Sequence, residues 1–178
     1  MGKFIDYLFN NRHYKEVKQA YELVHSASLQ CAFDLWQRHL GLTLSDSYED
    51  MEYILAHMSD VKMVDHWIQI THRLKTNQRK GIEWLYSVKR GMSTIPVMDY
   101  KEYKFVATNE SNIKTYDRYY ITYNRILSSN REAVQWLYYD TFGVQEIPAC
   151  SYKEIEFIAT NESKIKQFQH ILNEYNSF

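Results

Sequence analysis

Residues Tyr152-Lys-Glu-Ile-Glu-Phe-Ile-Ala-Thr-Asn-Glu-Ser163 repeat residues Tyr100-Lys-Glu-Tyr-Lys-Phe-Val-Ala-Thr-Asn-Glu-Ser111 at an offset of 52. The same offset carries Asp65 to Asp117, Arg73 to Arg125, Arg79 to Arg131, Trp84 to Trp136, Leu85 to Leu137, Tyr86 to Tyr138 and Pro96 to Pro148 without a gap. Self-similarity at a fixed period of this length is the signature of a repeat architecture. Carried backward, the offset sets Tyr48, Ser59, Val61 and Lys62 under Tyr100, Ser111, Ile113 and Lys114, so a degenerate first copy precedes the two clear ones. Further upstream the register is lost. Trp36 does not lie under Trp84, which implies a small insertion or divergence between Ser26 and Thr43.

Each copy reads as three helices. The first opens on a capping box: Ser47 with Asp50, Asp99 with Glu102, Ser151 with Glu154. Apolar residues follow at helical spacing, as Tyr48, Met51 and Leu55, then Tyr100, Tyr103 and Val106, then Tyr152, Ile155 and Ile158. The Ala-Thr-Asn-Glu-Ser stretch reads as a turn, with Ser59, Ser111 and Ser163 as caps of a long second helix. That helix carries inward stripes at Val61, Val64, Ile68 and Leu74, at Ile113, Tyr116, Tyr120 and Leu127, and at Ile165, Phe168, Leu172 and Tyr175. A third helix runs from about Asn77 to Arg90 and from about Ser129 to Phe142, ending near Gly91 and Gly143, which suit left-handed caps. Trp84 and Trp136 read as its core anchors. The expectation is an all-α protein of about nine or ten helices. Its three tandem helix-turn-helix-like copies span residues 1–63 with an N-terminal cap, 64–115, and 116–178 with a C-terminal completion.

Composition agrees with a packed helical chain. Of 178 residues 45% are apolar, and only 5 glycines and 2 prolines interrupt them. The formal charge of −1 gives no general attraction to nucleic acid or an acidic membrane, so such binding needs a local patch. The start, Met1-Gly2-Lys3-Phe4-Ile5-Asp6, has no apolar leader, and no run of membrane-spanning length follows. A cytoplasmic protein without membrane association is expected. Cys31 and Cys150 lie far apart without metal-knuckle spacing and read as buried free thiols.

Catalytic patterns are missing. The chain has no Gly-rich phosphate loop, nucleophile elbow or H-E-x-x-H pair. His66 and His72, six apart on one helix, point about 120° away from each other and cannot comfortably share a metal. Asp65 and Asp117 recur at equivalent places, where service near a helix start is an adequate reason. Neither enzymatic activity, cofactor nor small-molecule substrate is expected.

Two short helices joined by a three- or four-residue turn, from Glu154-Ile155 to Ser163-Lys-Ile-Lys166, follow the plan of a helix-turn-helix. Asn130-Arg-Glu-Ala-Val-Gln-Trp-Leu-Tyr-Tyr139, followed by Ser151-Tyr-Lys-Glu-Ile155 and Ser163-Lys-Ile-Lys166, resembles the promoter-reading region 4 of bacterial sigma factors over about 45 residues. That family has an R-E-x-V helix, then S-Y-x-E-I, then a recognition helix opening S-x-x-V-K. The resemblance implies that Ser163, Lys164 and Lys166 face DNA while Ile155 and Ile165 pack the two helices together. The turn here is shorter, lacks the family's glycine, and follows a longer connection from Phe142 to Cys150.

Charge is unevenly spread. Residues 64–115 hold nine Lys or Arg against five Asp or Glu, whereas residues 1–63 and 116–178 are net acidic. Arg73, Lys75, Arg79, Lys80, Lys89 and Arg90 form a basic corner able to meet phosphates, and Asn112 and Lys114 open the middle copy's recognition helix. A DNA-binding transcriptional regulator is the leading expectation. The alternative is a helical-repeat module that binds, and could inhibit, a protein partner, as a phage-encoded inhibitor would. Its 16 tyrosines suit such a surface.

Overall fold

The computed structural model describes residues 11–178. The reading of Met1–Asp6, and the beginning of the segment 1–63, lie outside the described residues. Ten α-helices and no strand occur among the described residues. They are α1 (Arg12–Val24), α2 (Gln30–His39), α3 (Tyr48–Ala56), α4 (Met58–Asn77), α5 (Arg79–Arg90), α6 (Tyr100–Thr108), α7 (Glu110–Ser129), α8 (Arg131–Phe142), α9 (Tyr152–Thr160) and α10 (Glu162–Asn176).

Local chemistry accounts for the helix ends. The Ser47, Asp99 and Ser151 side chains accept from the Asp50, Glu102 and Glu154 amides at 3.2, 2.9 and 3.4 Å, closing the first turns of α3, α6 and α9. Ser59, Ser111 and Ser163 are not caps, because the long helices already begin one residue earlier, at Met58, Glu110 and Glu162. The break belongs to the preceding residue. Asn109 and Asn161 donate their side-chain amides to the Phe105 and Phe157 carbonyls at 2.8 Å, while the His57 ring contacts the Tyr53 carbonyl at the same distance. Each satisfies a carbonyl at the end of a short helix. The α9–α10 connection is therefore Asn161 alone, not the three- or four-residue turn expected of a helix-turn-helix. Gly91 and Gly143 end α5 and α8 at φ 63° and 69°, a region side chains rarely adopt.

The chain forms two compact units. One takes the described residues up to Arg73 together with Pro96–Asn109. In it α1 packs on α2 and α3, and α2 meets α6. Val17, Val24, Phe33, Trp36, Ile54 and Val61 are buried there.

The other unit comprises Leu74–Ile95 and Glu110–Phe178. Here α7 packs against α5, α8 and α9, and α8 against α10. The α5–α7 crossing is close: a Cβ on Gly81 would stand 2.1 Å from the Ile113 carbonyl oxygen, so only glycine fits. At the same crossing the half-buried Asp117 carboxylate accepts from the Gly81 amide, and α5 has no side-chain cap of its own. Burial pushes the Asp117 pKa up and this hydrogen bond partly offsets it. Service at a helix start thus accounts for this aspartate.

Trp84 is the central aromatic of the second unit, 2% exposed, against Tyr116 at 4.7 Å and Tyr152 at 5.0 Å between ring centroids. The expectation that Trp136 does the same is corrected: it is 50% exposed. Tyr152 lies over Trp84 from α9, and no helix among the described residues stands over Trp136 in that way. Tyr175 likewise points to solvent rather than to the core. Trp84→Ala should cost about 3–5 kcal/mol in denaturant unfolding, the usual loss for a buried aromatic. Trp136→Ala should cost below about 1 kcal/mol, as surface positions do; equal losses would contradict this division.

Candidate functional site

The residues expected to meet DNA are distributed over α4, α5, α7 and α10. Arg73 is exposed and Lys75 half-buried, both on α4. On α5, Arg79 and Lys80 both pair with Glu83, at 3.4 and 3.1 Å, and Lys80 also lies over the Tyr120 ring. Lys89 and Arg90 are exposed in the last turn, where positive charge suits the helix dipole, and Arg90 lies over Tyr86. On α7, Asn112 is exposed and Lys114 pairs with Glu110 at 2.9 Å.

The first turns of α10 hold the sigma-like residues. Ser163 is exposed, Lys164 pairs with Asp140 of α8 at 2.8 Å, and Lys166 pairs with Glu162 at 3.1 Å. Glu162 also takes Arg125 of α7 at 2.5 Å. Five of the cations expected to meet DNA, Arg79, Lys80, Lys114, Lys164 and Lys166, therefore have a carboxylate at hand, which weakens the local field a phosphate would feel. Exposed pairs of this kind contribute little to stability.

A different feature stands out on α8 and α10. Trp136, Tyr139 and Phe142 on α8, and Ile171 and Tyr175 on α10, are large apolar side chains left exposed. All but Phe142 border two shallow depressions of about 380 and 410 Å³ that share Trp136 and Glu132. Glu132 is the only charged residue lining either. The face has a firm base: Ala133, Val134, Leu137 and Tyr138 project from the other side of α8 into the core with Ile155, Ile158 and Ile165.

Two buried phenols anchor that base. Burial, followed by the nearby Glu154 and Cys150, pushes the Tyr138 pKa up to about 12, and its hydroxyl has no hydrogen-bond partner among the described residues. Tyr123 on α7 is likewise pushed up, first by burial and then by a hydrogen bond with Cys150. Cys31 and Cys150 are themselves exposed, contrary to the expectation of buried thiols, since one opens α2 and the other precedes the Ser151 cap.

Among the described residues no group of three or more His, Cys, Asp and Glu is placed to hold a metal, and no helix is long and apolar enough to cross a membrane. Comparison with protein-family models, curated proteins and solved structures finds no match.

The exposed α8 face was hidden from the sequence because apolar periodicity reports a helix side, not whether anything covers it. A signal was present: Trp136 and Tyr139 are three apart, with Gln135 and Asp140 beside them, so this side of α8 is partly polar.

Tyr138→Phe tests the buried phenol. The folded state keeps the Tyr138 proton to about 12, whereas the unfolded chain releases it near 10.0. This contribution to stability is complete below the unfolded value and is lost as pH rises through the folded one. Removing an unpartnered hydroxyl should leave stability at pH 7 unchanged or higher and reduce the alkaline loss. A destabilisation above about 1 kcal/mol at pH 7 would mean that the hydroxyl is satisfied.

Proposed function

We propose that the chain is a non-enzymatic, helical-repeat module for protein–protein interaction, built from three tandem copies of a 52-residue three-helix unit. Helix bounds support the repeat. The starts Tyr48, Tyr100 and Tyr152, then Met58, Glu110 and Glu162, then Arg79 and Arg131 keep the 52-residue spacing. The first copy's lost register has a simple reading. Gly41 is left-handed like Gly91 and Gly143, and the path from Gly41 to Ser47 is two residues shorter than from Gly91 to Asp99 or Gly143 to Ser151. Trp36 then falls under Tyr86 and Tyr138, and all three are buried.

The observation that carries the functional reading is the contiguous exposed apolar face of α8 and α10. Large exposed apolar patches edged by polar residues mark interaction sites, and aromatic side chains are the usual anchors of protein interfaces. The DNA-reading alternative rests on the basic corner of Arg73, Lys75, Arg79, Lys80, Lys89 and Arg90, on Asn112 and Lys114, and on the sigma-like pattern. It draws less support from side chains already engaged with carboxylates.

Titration of random-sequence duplex DNA from low to physiological salt separates the two. The module reading expects no salt-sensitive affinity, and it expects proteins retained from a cell extract to be lost from a Trp136→Ala, Tyr139→Ala variant that melts like the parent. The DNA reading expects log affinity to fall linearly with log salt, with a shallower slope in Arg79→Glu, Lys80→Glu. That second pattern would overturn the proposal.

A further inference from the structure

Resting on the interaction-module reading, we infer that the α8/α10 face seats a basic amphipathic helix of a partner protein, in the manner in which the α5/α7 face seats α9.

The internal interface supplies the template. On α5 and α7, Trp84, Tyr119, Tyr123 and Ile126 form an apolar face, and α9 packs on it with Ile155 and Ile158 buried and Tyr152 against Trp84. An offset of 52 turns these four positions into Trp136 of α8, Ile171 and Tyr175 of α10, and Phe178 just beyond it, every one apolar. Tyr123 is 7% exposed, in the core that Ile155 and Ile158 of α9 enter, and Tyr175 is 79% exposed. Among the described residues this surface occurs twice and is covered once.

Charge selects the occupant. Lys80, which lies beside Tyr120 and Tyr152 at the filled site, corresponds to Glu132 at the open one. With no lysine or arginine lining either depression, the face presents a single uncompensated sign. A second copy meeting this face two-fold would set Glu132 against its own equivalent. The described short helices α3, α6 and α9 are also unavailable, since their Ile54, Val106 and Ile158 are already fully buried. The fitting ligand is another protein's helix: an aromatic in its first turn, aliphatic residues three and six positions on, and lysine or arginine flanking them.

The test uses the full chain and two labelled helical peptides that share the Tyr-x-x-Ile-x-x-Ile register of α9. One carries lysines at the outward positions and the other glutamates, with fluorescence anisotropy as the readout. The lysine peptide is expected to bind at least tenfold tighter than the glutamate peptide. Trp136→Ala or Tyr175→Ala should weaken it at least tenfold without lowering the melting temperature, as loss of an interface anchor does. Glu132→Lys should reverse the peptide preference. Equal binding of the two peptides, still lost in Trp136→Ala, overturns the basic-helix inference and leaves the module reading in place. No binding of the lysine peptide overturns the inference as well. Peptide binding and extract capture that are both indifferent to Trp136→Ala overturn the inference and the module reading together.

Discussion

The seating of α9 on the aromatic face of α5 and α7 organises the second unit. Tyr152 lies against Trp84, Trp84 stacks on Tyr116, and Ile155 and Ile158 enter a core shared with Tyr123 and Ile126. Burying aromatics and branched aliphatics together stabilises by roughly 1.5–3 kcal/mol per large side chain, so this one contact accounts for much of what orders α5, α7 and α9. It depends on close approach. Glycine at position 81 lets α5 reach the Ile113 carbonyl, and Asp117 ties the start of α5 to α7.

The contrast between Trp84 and Trp136 then has a physical meaning. Both tryptophans sit at corresponding places on twelve-residue helices, both of which end in a left-handed glycine. Tyr152 of α9 lies against Trp84, whereas Trp136 is half exposed. An aromatic held on a rigid helix whose opposite side is locked in the core is suited to binding, because little ordering entropy is lost when a partner arrives. The surface ion pairs, from Lys80–Glu83 to Lys164–Asp140, add charge pattern rather than stability.

Much of the fold was legible in the sequence. Capping boxes at Ser47, Asp99 and Ser151 placed three helix starts, and the glycines at 91 and 143 placed two ends. What failed was local in cause. Ser59, Ser111 and Ser163 looked like caps because serine favours that role, but the His57, Asn109 and Asn161 side chains two residues earlier close the short helices and let the next helix start immediately. The exposure of Trp136, Tyr139 and Ile171 was not legible, since covering a helix side is decided by a distant segment. The exposed thiols were misread for a similar reason: cysteine's general preference for burial says nothing about a residue standing at a helix start or beside a cap.

The central claim is that one aromatic acceptor face is covered and its counterpart is open, and tryptophan emission reads it directly. Trp36, Trp67 and Trp84 are buried while Trp136 is half exposed. Acrylamide quenching of the native protein should therefore show a single readily quenched component. The account predicts that this component disappears in Trp136→Phe and survives in Trp84→Phe. Its persistence in Trp136→Phe, or its loss in Trp84→Phe, would contradict the account.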